Sequence, residues 1–362
     1  MVLITLCMIV KNEEDKLEQC LKSIAGNMDE IIIVDTGSTD GTKEIAYHYT
    51  DKVYDFEWTD DFAAARNFSI SKAGNEHVLM LDSDEITEEI DIAKLKRLIA
   101  DNPGKIGRLL RINEYTRKGV LYKYSERVNR LFSKRYYRYE GIIHEQVIPV
   151  ANENSEAVVQ TENRMDSETY PIPLTVRHSG YEGDITSRKK KTERNIRLLQ
   201  KALITNPEDP YLLYQLGKSY YMAEDYINAC DYFGKALYFD LNPKLEYVQD
   251  MVESYGYALI NSKQYETALQ LLNVYDEFSE STDFVYLAGL IYMNNAMFDT
   301  SIREFRKAAD RKECKMDGVN SYLAYYNIGV INECLGKIEE AKEYYKKCGD
   351  YKLAKSRLEQ LR

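Results

Sequence analysis

Long apolar runs are missing from this 362-residue chain. None approaches the ~20 residues that span a bilayer, and the amino terminus has neither the basic stretch nor the cleavage site of a secretory leader. Val2–Val10 is apolar but gives way to Lys11-Asn12-Glu13-Glu14, so it reads as a first buried strand. Positive charge is also in deficit. The net charge of −11 argues against a nucleic-acid or anionic-membrane binder, because either needs a basic face. The six cysteines (7, 20, 230, 314, 334 and 348) form no CxxC pair and meet no histidine cluster. That excludes a zinc site and a disulfide frame, and fits reduced thiols in a cytoplasmic protein. Neither a GxGxxG fingerprint nor a phosphate loop ending in GK[ST] is present. What remains is a chain long enough for two or three domains with sizeable cores.

The first 107 residues alternate between strand and helix patterns. Val2–Val10, Ile31–Val34 and Val78–Leu81 are short apolar runs, whereas Asp15–Ala25, Thr42–Thr50 and Phe62–Ala73 carry helical spacing. Such alternation predicts a parallel sheet with helices on its faces. In open sheets of this kind, ligands bind beyond the carboxyl ends of the strands. Three strand ends are accordingly informative.

The third of these is Leu79-Met80-Leu81-Asp82-Ser83-Asp84-Glu85. An Asp-x-Asp there offers hard oxygen ligands suited to Mg²⁺ or Mn²⁺ shared with a substrate diphosphate. Taken alone, the tripeptide is equally a strand end and an N-cap for a helix starting near Thr87. At the second strand end, Asp35 can hydrogen-bond a ribose hydroxyl, and Ser38-Thr39-Asp40-Gly41 reads as a turn and cap. Trp58, the single tryptophan, either lines the donor pocket or plugs the sheet edge. His48 and His77 have no partners in sequence and read as structural.

Four stretches in order (Ile9–Glu14, Ile33–Thr42, Ala65-Arg66-Asn67 and Leu81–Asp84) resemble the motifs of family 2 glycosyltransferases of the GT-A fold. The resemblance covers about the first 90 residues. It implies that Asn12, Glu13 and Asp35 contact the nucleoside, Arg66 and Asn67 help hold the base, and Asp82, Ser83 and Asp84 meet the metal and diphosphate. Many members carry a second Asp where this chain has Thr36.

Further on, Gly141-x-x-His144-Glu145 and His178-x-Gly180-Tyr181 resemble a subset that includes bacteriocin S-glycosyltransferases and related repeat-bearing protein glycosyltransferases. Inverting sugar transfer needs a general base facing the departing diphosphate. Glu145 is the candidate, with His144 as runner-up or orienting neighbour; a surface strand end is the plainer reading of the pair. His178 is a candidate third metal ligand, since imidazole binds Mn²⁺ readily; otherwise it is a histidine packed at a domain junction. The polar stretch 151–167 reads as a loop, and the basic run opening with Arg188 as the solvated face of a helix.

From Asn206 the period changes. Gly217, Gly256, Gly289 and Gly329 recur at intervals of 39, 33 and 40, near the 34-residue tetratricopeptide length. Twelve residues after each stand Ala229, Ala268, Ser301 and Ala341, and sixteen after stand Phe233, Leu272, Phe305 and Tyr345. Small residues let paired helices approach and large ones fill the seam, so about four helical hairpins are expected. Of the 31 tyrosines, 20 follow Asn206, more than four repeat cores require. The surplus suits an extended peptide or a second copy of the chain.

The expectation is therefore an α/β, Rossmann-like GT-A domain over 1–185, a helical linker over 186–205 and an all-α repeat domain over 206–362. The resemblance implies a cytoplasmic, Mn²⁺- or Mg²⁺-dependent inverting glycosyltransferase using a UDP-sugar, UDP-glucose or UDP-N-acetylglucosamine first. The repeats would present a peptide or protein acceptor through Cys or Ser/Thr, or pair two chains. The competing readings are transfer to a cell-envelope polysaccharide or lipid, and a non-catalytic scaffold.

Overall fold

The computed structural model describes residues 2–117, 120–150, 167–178 and 185–361. The expected loop over 151–167 therefore falls, apart from its last residue, outside the described residues. So do Gly180 and Tyr181. The chain divides into two units, Met1–Ile185 and Thr186–Arg362.

In the first unit the strands are β1 (Ile4–Val10), β2 (Glu30–Asp35), β3 (Val53–Asp55), β4 (His77–Met80), β5 (Glu85–Ile90), β6 (Ile106–Arg117), β7 (Val120–Ser133), β8 (Tyr137–Glu140), β9 (Gln146–Pro149) and β10 (Thr169–His178). Eight of them form one sheet in the order β3-β2-β1-β4-β7-β6-β10-β5, and β8 and β9 form a separate hairpin. The pairs β3–β2, β2–β1 and β1–β4 are parallel, as the alternation predicts. Beyond β4 the sheet is mixed, with β4–β7, β7–β6 and β10–β5 antiparallel.

The helices of this unit are α1 (Glu14–Ile24), α2 (Thr42–Tyr47), α3 (Phe62–Lys72) and α4 (Ile92–Asp101). Alternate residues of β1 serve opposite faces, as a period of two requires. Leu6 and Met8 join Leu17, Leu21, Leu95 and Ile99 beneath α1 and α4. Cys7 turns the other way and packs with Ala63 and Ile70 of α3 and Tyr139 of β8. Burial on both faces is why these strands read as unbroken apolar runs.

One element differs in kind. Residues 85–90, expected to begin a helix near Thr87, form β5. Asp91 is the real N-cap, its side chain accepting the Lys94 N–H at 2.9 Å. The preceding stretch is held extended by β10, which pairs His178 with Glu85. A partner some 90 residues downstream outweighs local helix signals.

The second unit is helical. After α5 (Ile185–Thr205) come α6 (Pro210–Met222), α7 (Tyr226–Ala236), α8 (Glu246–Asn261), α9 (Tyr265–Leu271), α10 (Tyr275–Phe278), α11 (Thr282–Asn294), α12 (Phe298–Ala309), α13 (Tyr322–Cys334), α14 (Ile338–Lys347) and α15 (Lys352–Gln360). Among the described residues, α6 packs with α7, α8 with α9, α11 with α12 and α13 with α14. A Cβ on Gly217, Gly289 or Gly329 would lie within 2.7 Å of the ring sixteen residues on: Phe233, Phe305 or Tyr345 respectively. Gly256 breaks the rule and meets Leu287 and Leu271, because Leu272 has left the helix for a 3₁₀ turn. The 40-residue interval before Gly329 is explained by the long connection from Asp310 to Ser321. Several tyrosines are part of this packing: Tyr345 is fully buried, and Tyr220 stacks on Tyr232 with centroids 5.4 Å apart. No helix among the described residues is long and apolar enough to cross a membrane.

Candidate active site

The carboxyl ends of β2, β1 and β4 lie side by side, with Val10 in register with Asp35. The turns leaving them hold one another in place. Asn12, in a left-handed backbone conformation (φ 53°), accepts the Thr39 N–H on its side-chain oxygen at 2.8 Å. Its own N–H donates to the Ser38 hydroxyl, and that of Glu13 to Thr42. The turn residues Ser38 and Thr39 thus brace the strand-end loop as well as shaping their own turn.

Asp35 is the exception in this group. Its Oδ1 accepts the Gly37 and Ser38 N–H groups, both at 2.9 Å. Its Oδ2 is buried and accepts no hydrogen bond among the described residues. A buried carboxylate oxygen at a ligand-binding rim without a donor is costly. A ligand N–H or O–H would relieve it.

Asp82, Ser83 and Asp84 follow β4. Both Asp82 oxygens are occupied: Oδ1 by Arg66 at 2.9 Å and Oδ2 by Arg130 at 2.7 Å. Burial by itself would raise the Asp82 carboxyl, but Arg130 and Arg66 outweigh it and hold it well below the usual carboxylate range. Arg130 also meets Glu85 at 2.9 Å, and Glu85 is fully buried. Asp82 therefore belongs to an arginine–carboxylate lattice at the rim of the sheet. Ser83 is buried beside it.

The loop between β8 and β9 brings Glu145 to the same lattice. Asp61 caps α3 by accepting the Ala64 N–H, and the neighbouring Phe62 N–H donates to the Ile142 carbonyl at 2.9 Å. Helix α3 thereby holds the loop against Arg66, whose Nε donates to Glu145. One guanidinium thus joins Asp82 to Glu145. Next to Glu145, His144 adopts φ 50°. The Asn67 amide exchanges hydrogen bonds with the Tyr139 backbone at 2.8 and 2.9 Å and so ties α3 to β8. Trp58 donates to Asp60 and packs edge-on against Phe62, so it supports the start of α3.

Asp84 and His178 are neighbours, with Oδ2 and Nε2 3.4 Å apart. They stand on the strand end after β4 and the last residue of β10. Carboxylate oxygen is the donor type for Mg²⁺ or Mn²⁺, the imidazole nitrogen suits the softer Mn²⁺ better than Mg²⁺, and two protein ligands leave positions for a diphosphate and water. Among the described residues no group of three or more such side chains forms. The residues present therefore fit a cation held jointly by Asp84, His178 and a ligand.

The expected set missed Arg130, Glu85, Arg111, Asn113 and Glu126. Arg111 donates to Glu126 at 2.8 Å and to Glu85 at 3.2 Å, extending the lattice across β6 and β7. Only a weak signal existed: charged residues recur every third position in the strand 106–117 (108, 111, 114 and 117) and stand at 123, 126, 127 and 130 of the strand 120–133. Arg130 stands between Asn129 and the apolar pair Leu131-Phe132, with no local sign of its buried carboxylate partners.

A mixed α/β sheet with acidic residues along its carboxyl rim, joined to stacked helical hairpins, defines a GT-A-type domain carrying a repeat region. Residues 5–153 match the family described as glycosyl transferase family 2, and residues 322–355 match a tetratricopeptide repeat. The first unit is thus similar to that family over these residues, and the second carries a matched tetratricopeptide repeat. A tetratricopeptide repeat-containing protein of Synechococcus elongatus is 35% identical over 218 residues, covering 60% of this chain and 52% of that protein. The prophage-derived glycosyltransferase SunS of Bacillus subtilis is 27% identical over 308 residues, covering 80% of this chain and 67% of SunS. Among solved structures, MamA of Desulfovibrio magneticus aligns with 48% of this chain and 88% of its own, at 24% identity and a TM-score of 0.38. The chain thus spans about half the length of the first relative and two thirds of the second.

Proposed function

We propose that the protein is a divalent-metal-dependent, inverting glycosyltransferase that moves a sugar from a UDP-sugar to a Cys or Ser/Thr side chain of a peptide or protein. The observation that carries this reading is the convergence of Asp82 and Glu145 on Arg66. The orphaned Asp35 oxygen supports it, since the N–H of a uracil or a ribose hydroxyl would supply the missing donor.

In this mechanism Asp35 and the Asn12–Glu13 turn receive the nucleoside. Asp84 and His178 would hold the cation, which supplies Lewis-acid charge neutralisation for the diphosphate. Glu145 takes the proton from the acceptor thiol or hydroxyl as that atom attacks the anomeric carbon. The bond from that carbon to the diphosphate oxygen breaks, and its electron pair leaves on the diphosphate. Arg66 and Arg130 keep Asp82 ionised and fixed throughout. His144 orients Glu145 through the strained turn they share. UDP-glucose and UDP-N-acetylglucosamine are the donors to try first, and the repeats are the proposed acceptor-binding region, at work in the cytoplasm.

The test is donor hydrolysis by the purified protein with Mn²⁺ across a panel of UDP-sugars, beside Asp84→Ala. Turnover by the native protein that Asp84→Ala loses supports the reading. If both are inert and neither binds UDP, the reading fails and a scaffold remains.

A further inference from the structure

We propose that Asn113 is a positioning residue that sets the tautomer of His178, so that Nε2 presents a lone pair beside Asp84. This deepens the proposed function and rests on its reading of Asp84 and His178 as the cation's ligands.

Asn113 is the register partner of His178 across β6 and β10. Asn113 is buried, 4% exposed, in the middle of β6. Its Nδ2 lies 2.8 Å from Oε1 of Glu126 on β7. Glu126 in turn accepts from Nε and Nη2 of Arg111 at 3.0 and 2.8 Å. A carboxylate held by a guanidinium is ionised and can only accept, so the atom of Asn113 that faces it must be the NH₂. That fixes the amide's other end: Oδ1 points at Nδ1 of His178, 2.7 Å away.

An amide oxygen can only accept, so Nδ1 of His178 carries the hydrogen. In a neutral imidazole the other nitrogen then has none. In that neutral form Nε2 faces Asp84 Oδ2 across 3.4 Å with its lone pair, the electron pair that a divalent cation takes from a histidine. A buried polar partner on the far nitrogen is the usual means of orienting a ligating histidine. The chain Arg111–Glu126–Asn113–His178 crosses three adjacent strands of one sheet. Its geometry is therefore set by the fold before any ligand arrives.

The experiment has two readouts that a general loss of structure would not mimic. The first is the side-chain ¹⁵N shifts of His178 in metal-free protein at pH 8, assigned with His178→Gln among only four histidines. Native protein is expected to show a protonated Nδ1 and a bare Nε2. Asn113→Leu, and the milder Glu126→Gln, which lets the amide turn over, are expected to move the ring towards the Nε2–H form. The second is Mn²⁺ affinity with UDP present, followed by electron paramagnetic resonance. Asn113→Leu is expected to weaken it about 10- to 100-fold, with the circular dichroism spectrum retained. An unchanged tautomer in both variants overturns the proposal, as does unchanged Mn²⁺ affinity in a variant whose tautomer has moved. If native protein binds no Mn²⁺ while the tautomer still depends on Asn113, the cation reading falls and the positioning role stands. The two failures are thus distinguishable.

Discussion

Arg66 and Glu145 are 79 residues apart in sequence and in direct contact through the guanidinium Nε, both nearly excluded from solvent. The same guanidinium reaches Asp82. This one side chain therefore couples the rim of β4 to the loop after β8. Removing it leaves a buried carboxylate without its partner, which typically costs ~3–5 kcal/mol for a fully buried pair.

Arg66→Ala is accordingly expected to destabilise the protein by about 2–3 kcal/mol. The figure is below the full range because Arg130 still holds Asp82, and Asp82 is about a third exposed. Glu145→Gln should behave differently. It keeps an oxygen to accept from Arg66, so urea midpoints should stay near native while transfer falls by roughly 10²- to 10⁴-fold. Equal stability losses in the two variants would mean that Glu145 serves the lattice and not the chemistry.

The two aspartates of the Asp-x-Asp should separate in the same way. Asp84→Asn is expected to lower Mn²⁺ affinity at least tenfold by calorimetry with UDP present, with little change in melting temperature. Asp82→Asn removes the charge between two arginines and should cost about 1–2 kcal/mol, discounted for its exposure. Its metal affinity should stay within a few-fold of native. The reverse pattern would restore Asp82 as the principal metal ligand.

The parallel half of the sheet could be read from the sequence because its strands are buried on both faces and its turns are local. The rest depended on partners far along the chain. Glu85–Ile90 looks helical until β10 arrives to pair with it. Arg130 and Glu85 look incompatible with a core until each is seen to neutralise the other. Asn67 carries a family motif, yet its amide is engaged with a backbone 72 residues away. Motif order identified the residues at the rim; it could not say which carboxylate would face arginines and which a histidine.

Repeat packing offers a test by contrast. A methyl added at Gly289 would sit 2.7 Å from the ring of Phe305, which is fully buried and has nowhere to go. Overpacking costs about 1–3 kcal/mol, while the gain in helix propensity from Gly to Ala is about 1 kcal/mol. Gly289→Ala should therefore lower stability by up to about 2 kcal/mol in chemical denaturation. Gly26, with no atom within 4 Å of its added methyl and an ordinary backbone angle, should accept Ala with no loss. If both variants are neutral, the seam is looser than the ring contacts imply.

A buried carboxyl in the repeats gives the protein a definite pH dependence. Glu253 on α8 is raised to about 7, mainly by burial, with nearby Asp283 and Asp250 adding to the rise and Lys315 and the Ser281 hydroxyl opposing it. Lys315 Nζ stands 3.7 Å from its Oε2, and the Ser281 hydroxyl donates to Oε1 at 2.7 Å. Asp283, on α11, is raised as well, again chiefly by burial. A carboxyl with a raised folded value holds its proton in the native state at pH values where the unfolded chain has lost it. Its stabilising contribution is complete below the ordinary glutamate value of about 4.5 and is lost as pH rises to about 7. The total at stake is about 3–4 kcal/mol at most, since each pKa unit is worth about 1.4 kcal/mol. Glu253→Gln keeps the acceptor for Ser281 and cannot ionise, so it should be more stable than native at pH 8 and nearly equal to it at pH 5. Urea denaturation at the two pH values measures the difference directly. A variant less stable than native at pH 8 would mean that the charged pair with Lys315 outweighs the cost of burying the carboxylate.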